Sequence, residues 1–149
     1  MAKQRRTRTS RSSKKARRKR AVRVARRPVL VLTTNGQAGG RMFGPRAAND
    51  VRIVWNLPVL GGGGYWTKNG KEIPGTRFVF LHGTNDLHFS PTGRFRKGGV
   101  PLRPPPGAND IEIIWDGPII TEAWWTRNGE RFQEIPLEPD QTDISVDWS

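Results

Sequence analysis

The chain has 149 residues, room for one ordinary domain, and carries 26 Lys and Arg against 13 Asp and Glu, a net charge of +13. It has no cysteine, which excludes disulfide scaffolds, Cys-ligated zinc and thiol catalysis. No apolar run approaches the length of a membrane span and no hydrophobic signal core opens the chain, so membrane insertion is not expected.

From Met1 to Arg27 there are 14 cations and no anion: Lys3, Arg5, Arg6, Arg8, Arg11, Lys14, Lys15, Arg17, Arg18, Lys19, Arg20, Arg23, Arg26 and Arg27. Almost nothing there is apolar, so burial cannot offset chain entropy, and residues 1–27 are expected to be a disordered basic arm. The arm lacks the spaced apolar residues of an amphipathic transit peptide. Its "KKARRKR" suits nuclear import, a permissive motif. Its chemistry suits nucleic acid better. Polycations bind phosphate backbones by displacing condensed counterions, and Arg forks pair phosphates bidentately. Phosphorylation of Thr7, Thr9, Ser10, Ser12 or Ser13 would weaken such a grip.

The remainder holds 12 cations against 13 anions, unevenly spread. Residues 41–103 carry ten cations and three anions; residues 104–149 carry two and ten. "PVLVL" (28–32) reads as an apolar strand, followed by Gly-rich irregular chain to Pro45.

Two similar units follow, "ANDVRIVWNLPVLGGGGYWTKNGKEIP" (48–74) and "ANDIEIIWDGPIITEAWWTRNGERFQEIP" (108–136). They match in kind at Ile53 and Ile113, Trp55 and Trp115, Pro58 and Pro118, and Trp66 and Trp125, which points to an internal duplication. Alternation in "VRIVW" and "IEIIW" predicts strands with Val51, Ile53, Trp55, Ile111, Ile113 and Trp115 inward. Asn69-Gly70 and Asn128-Gly129 accept the positive φ of a two-residue hairpin turn. That turn sets Lys68 opposite Lys71, Thr67 opposite Glu72 and Trp66 opposite Ile73. In the second unit it sets Arg127 opposite Glu130 and Trp125 opposite Phe132. By alternation Trp66 and Trp125 are core, while Tyr65 and Trp124 face the other way.

Between the units, "RFVFLHGT" (77–84) predicts a buried strand ending in a turn. His82 and His88 read as loop residues of "LHGTNDLHF", too few for a metal site. "FSPTGRFRKGGVPLRPPP" (89–106) predicts an extended, solvent-facing loop with Arg94, Arg96, Lys97 and Arg103 around Phe95. Aromatic platforms beside basic residues suit unstacked bases of single-stranded RNA. Residues 137–149 read as an acidic tail, with charge to dock on a basic surface or mask the arm.

Catalysis is not expected. There is no Gly-x-Ser-x-Gly, and "GGGG" (61–64) lacks the Lys and following helix of a phosphate-binding loop. No cofactor and no metal are implied.

The run "GYW" (64–66), the strand "RFVFLHGT" and "PGANDIEIIW" (106–115) together resemble the RNA-binding domain of coronavirus nucleocapsid proteins. A short, basic, cysteine-free chain is also similar to the smaller nucleocapsids of toro- and bafiniviruses. The resemblance covers residues 61–115. It implies that Tyr65 and Trp66 lie on an RNA-facing sheet with Arg77 beside them, and that a basic loop grasps the strand. In the family that finger precedes the aromatic strand; here the basic loop follows it, and no second, dimerising domain fits.

These readings lead to a mainly β protein: a small antiparallel β domain (28–136) with long loops and a duplicated strand–hairpin unit, between a disordered basic arm and an acidic tail. The expected function is that of a viral nucleocapsid protein packaging genomic single-stranded RNA, in the virion and host cytoplasm. The expected partners are that RNA, further copies of the chain, and a viral envelope or matrix protein. Two other classes share the basic arm: a jelly-roll coat protein of a small icosahedral virus, and a ribosomal or chromatin-type accessory protein.

Overall fold

The computed structural model describes residues 27–33, 41–55, 62–80, 84–97 and 99–148. The arm before Arg27, and His82, lie outside the described residues. The described chain is mainly β and antiparallel, as the sequence predicts, with no helix among the described residues. Its strands are β1 (Val29–Thr33), β2 (Arg41–Phe43), β3 (Asp50–Trp55), β4 (Gly62–Lys68), β5 (Lys71–Glu72), β6 (Phe78–Phe80), β7 (Asp86–Ser90), β8 (Asp110–Asp116), β9 (Ile119–Arg127), β10 (Glu130–Glu134) and β11 (Ile144–Asp147).

They form two sheets. The smaller runs β11-β7-β1-β2; the larger runs β10-β9-β8-β3-β4-β5, with β6 also paired to β4. Both turn one face inward onto a single core, Leu30, Leu87, Phe89, Ile144 and Val146 meeting Val51, Ile53, Trp66, Ile111, Ile113 and Trp125. Aromatic rings tie the layers together. Phe89 of β7 lies 4.9 Å from Trp115 of β8, and Trp148 stacks on Trp55 at 3.9 Å with 12° between planes. The result is a sandwich whose inner residues alternate with outward ones along each strand.

The duplication has a geometric meaning. β3 and β8, the equivalent first strands of the two units, pair antiparallel with Arg52 opposite Glu112. Those two residues occupy the same place in their own units, so a pseudo-twofold axis passes between them. Its pairings come in related couples: Val51 opposite Ile113 matches Ile53 opposite Ile111, and Asp50 opposite Ile114 matches Val54 opposite Asp110. At the ends, Trp55 N–H donates to the Asn109 carbonyl at 2.8 Å and Trp115 N–H to the Asn49 carbonyl at 2.9 Å.

Within each unit the "AND" segment clasps the "NG" turn. Asn49 Nδ2 donates to Asn69 Oδ1 at 2.9 Å, and Asn69 N–H returns a bond to Asn49 Oδ1 at 2.8 Å. Asp50 Oδ2 accepts the Gly70 N–H at 3.2 Å. Asn109, Asn128, Asp110 and Gly129 repeat the arrangement at 2.8, 2.9 and 3.3 Å. Asn69 and Asn128 sit at φ of 52° and 49°, a conformation Asn tolerates and β-branched residues do not. The two sequence signatures recur together because one secures the other.

The glycine run is also structural. Gly62 and Gly64 face inward on β4, where added Cβ atoms would collide with the carbonyl oxygens of Val54 and Arg52 and stand 2.6 and 2.7 Å from the rings of Phe80 and Phe78. The phenyl rings of β6 fill the space that side chains on β4 would take.

Four expectations are corrected. The second hairpin carries a bulge between Arg131 and Gln133, so Trp125 faces Gln133, and Phe132 is 46 % exposed. β6 is a short edge strand with Val79 85 % exposed, not a buried one. His88 lies on β7, a central strand, not in a loop. The acidic segment is not a free tail: Ile144 and Val146 of β11, together with Trp148, are core residues. Trp148→Ala is therefore expected to cost about 3–5 kcal/mol in urea denaturation followed by fluorescence; a loss below about 0.5 kcal/mol would be that of a surface residue.

Candidate nucleic-acid interface

The sandwich has two outer faces of different character. On the smaller sheet, alternation turns Arg41, Val31, His88 and Ser145 outward in one row across β2, β1, β7 and β11. Phe43, Val29 and Ser90 form the next row. The basic loop folds over these rows because Ser90 draws it in. Ser90 Oγ accepts the N–H groups of Thr92, Gly93 and Arg94 at 3.2, 3.0 and 3.1 Å. Gly93, at φ 81°, then passes directly over Val29, and Phe95 sets its ring edge-on to His88 at 6.3 Å. His88 Nδ1 shares a 2.7 Å hydrogen bond with Ser145 Oγ.

The C-terminal segment holds the far side of the loop. Leu102 N–H donates to the Ser145 carbonyl and Asp147 N–H to that of Leu102, both at 2.8 Å. Arg96 N–H donates to Asp143 Oδ2 at 2.8 Å, its guanidinium meets Glu138 at 3.0 Å, and Arg103 approaches Asp147 at 3.8 Å. Arg41, Arg94 and Lys97 are exposed and make no ion pair among the described residues.

A second cationic group stands at the first hairpin tip. Lys68 faces Lys71 across the strands, a like-charge pairing that costs stability, whereas the second unit pairs Arg127 with Glu130. Lys68 and Arg46 line a cleft of about 590 Å³ that also includes Pro28, the residue before β1. The cations of this tip thus border the point where the arm joins the body.

The outer face of the larger sheet differs. Tyr65, Arg52, Glu112 and Trp124 form one row across β4, β3, β8 and β9. Arg77 lies over Tyr65 with 5.5 Å to the ring centre, and Arg131 over Trp124 with 5.0 Å. Their charges are already engaged. Arg77 forks onto Glu72, Arg52 meets Asp110 at 3.0 Å and Glu112 at 2.8 Å, and Arg131 bonds Glu112 and, at 3.2 Å, Glu122. The hydrogen bond from Arg77 is the main cause that holds the Glu72 carboxyl below its usual range, and Arg77 is raised in turn. That pair persists at neutral pH and is lost as pH falls through the depressed Glu72 value; in open solvent its contribution is small.

The structure brings Arg94, Phe95, Arg96, Lys97 and Arg103 together on the smaller sheet. Tyr65 and Arg77 lie on the opposite outer face. Trp66 is on neither: at 2 % exposure it is core, which corrects the placement of Tyr65 and Trp66 on one surface. Consecutive strand residues point to opposite sides, so only one of the two can face solvent. Of the arm cations, those from Arg5 through Arg26 lie outside the described residues, and Arg27 is exposed at the root of β1. The sequence does not mark Arg41 or Phe43 for this face, whereas alternation in "DLHFS" carries the signal that His88 is a strand residue. No cluster of His, Cys, Asp or Glu suited to a metal, and no helix long and apolar enough to cross a membrane, occurs among the described residues.

Ser90→Ala removes one acceptor from three N–H groups. The amides of Thr92, Gly93 and Arg94 are expected to exchange with solvent about 5- to 150-fold faster, a loss of roughly 1–3 kcal/mol locally. Hydrogen exchange on the intact fold checks this, the core amides of Leu87 and Phe89 serving as reference.

The chain matches no family model, no curated protein and no solved structure.

Proposed function

We propose that this chain is a nucleocapsid protein that packages single-stranded viral RNA, in the virion and in the host cytoplasm. The observation that carries the reading is the run of 14 cations without an anion in the first 27 residues. Such a segment grips any phosphate backbone by counterion release, with no need for sequence information. It enters the body at β1, the strand between β2 and β7, beside the outer face that carries Arg41, Arg94, Lys97 and the rings of Phe43 and Phe95. Arg46 and Lys68 line the same entrance, with Lys71 across the strands from Lys68. RNA held by the arm therefore meets cations on the side of the smaller sheet, where aromatic rings are available for base stacking. Copies arranged along one RNA condense it.

The viral assignment rests on the resemblance over residues 61–115. The meanders β3-β4-β5 and β8-β9-β10, each running consecutively within one sheet, favour it over the interleaved strands of a jelly-roll coat. The arm also suits passage into the nucleus. Tyr65 and Arg77 take no part in this scheme, because their face is occupied by ion pairs.

Salt titration of single-stranded RNA binding tests the reading. If ten phosphates engage, log K falls against log salt with a slope near −7, from roughly −0.7 per phosphate. Removal of residues 1–27 is expected to leave a weak, shallow residue of binding. Replacing Arg41, Arg94 and Lys97 by Ala in the full chain is expected to reduce the slope by about 2. Glu138→Gln frees Arg96 and is expected to steepen it by roughly 0.7. A full-length chain that binds RNA without salt dependence would end the proposal.

A further inference from the structure

The pseudo-twofold axis provides an internal control for one residue, Asp50. Its equivalent, Asp110, is 1 % exposed and has a guanidinium partner, Arg52, at 3.0 Å. Asp50 is 6 % exposed and has none among the described residues. The reason lies in the sequence: where the first unit has Arg52, the second has Glu112. Among the described residues Asp50 Oδ2 accepts only the Gly70 N–H; Oδ1 has no hydrogen-bond partner, as is also true of Asp110 Oδ1, so the missing guanidinium is what sets the two apart. A buried carboxylate left in this state is expensive.

Asp50 lines a cleft of about 520 Å³ on the outer face of the larger sheet, with Asp110, Glu112, Arg52 and Tyr65. Three carboxylates line it beside the guanidinium of Arg52, which pairs with Asp110 and Glu112; Glu112 is also bonded by Arg131 from outside the cleft. Across the whole face Asp50, Glu72, Asp110, Glu112 and Glu122 stand against Arg52, Arg77 and Arg131. The face also shows how it takes an arginine. Arg77 and Arg131 each lie over an aromatic ring and fork onto carboxylates.

The geometry points to the arm, residues 1–26 of the same chain, as the ligand of this cleft, with an arginine of the arm paired to Asp50. The arm offers nine arginines and four lysines and no competing anion. It is also close. Pro28, at its root, shares a cleft with Asn49 and Lys68, the chain neighbours of Asp50 and Thr67 in the anionic cleft. A few extended residues, at roughly 3.3 Å each, span such a distance, and 26 are available. Electrostatics favours the crossing. Arg46, Lys68 and Lys71 repel an arm that stays on their side of the hairpin, and the carboxylates beyond attract it. The docked arm is an internal competitor of RNA, which rests on the function proposed above; the docking itself does not.

The absence of cysteine makes Ser12→Cys a unique thiol for a nitroxide spin label on the full-length, isotope-labelled chain. At low salt and without RNA, the label is expected to broaden the amide resonances of Asp50, Tyr65, Thr67 and Gly70 and to spare those of Val31 and His88. Asp50→Asn keeps the acceptor for Gly70 N–H, and so the clasp, while removing the charge. It is expected to abolish the broadening with the rest of the spectrum unchanged; if it perturbs the fold, about 0.5 M salt makes the same test on the unmodified residue. Broadening confined to the smaller sheet, or none, overturns the proposal. So does broadening that arises only when unlabelled-isotope, spin-labelled chain is mixed with isotope-labelled, spin-free chain, because the occupant is then a neighbour's arm. Added single-stranded RNA restoring the resonances supports competition. If RNA fails to bind at all, the packaging role falls and the docked arm stands.

Discussion

The structure depends on the pairing of β3 with β8. Each unit alone is a small meander with one apolar face, and two- or three-stranded meanders of this size are marginal in water. Joined about the axis between Arg52 and Glu112 they give one wide sheet, long enough to cover β1, β7 and β11 and to bury Trp55, Trp66, Trp115, Trp125 and Trp148 between the layers. The register of that seam is fixed twice. A slip of one residue would turn Val51, Ile53, Ile111 and Ile113 to solvent. It would also break the bonds by which Trp55 and Trp115 reach back to Asn109 and Asn49.

With the seam in place, the polarity of the molecule follows. The larger sheet turns carboxylates outward, while Ser90, Asp143 and Glu138 hold the cations of loop 91–103 on the other side. Divergence between the copies sharpens this division. Arg127 and Glu130 close the second tip neutrally, whereas Lys68 and Lys71 keep the first charged, and Glu112 in place of a second Arg leaves Asp50 without a counter-charge.

Much of the larger sheet was legible in the chain. Period-two alternation in "VRIVW" and "IEIIW", the Asn-Gly turns and the repeat itself fixed strands, hairpin register and the inward tryptophans. The smaller sheet was harder to read. "DLHFS" and "DISVDWS" alternate as cleanly, but they sit among His, Ser and Asp residues and have no repeat to flag them, so β7 and β11 read as loop and tail. The bulge at Phe132 was invisible because register shifts depend on how the edge strand meets the core, where Ile135 takes the buried place. For the candidate interface, composition found the arm and the loop. It could not say that Tyr65 and Phe95 would lie on opposite outer faces, since that depends on which sheet each strand joins.

The seam has a further consequence. It is satisfied by a second unit that brings Asp110 and Glu112 to Arg52 in the right register, and nothing in it distinguishes a chain's own second half from that of another copy. Within one chain the intervening segment keeps the two halves at an effective concentration on the order of millimolar, which selects the closed form in dilute solution. Where many chains are crowded along one polymer, that advantage shrinks, and exchange of halves between neighbours becomes a cheap way to link them without any new contact surface.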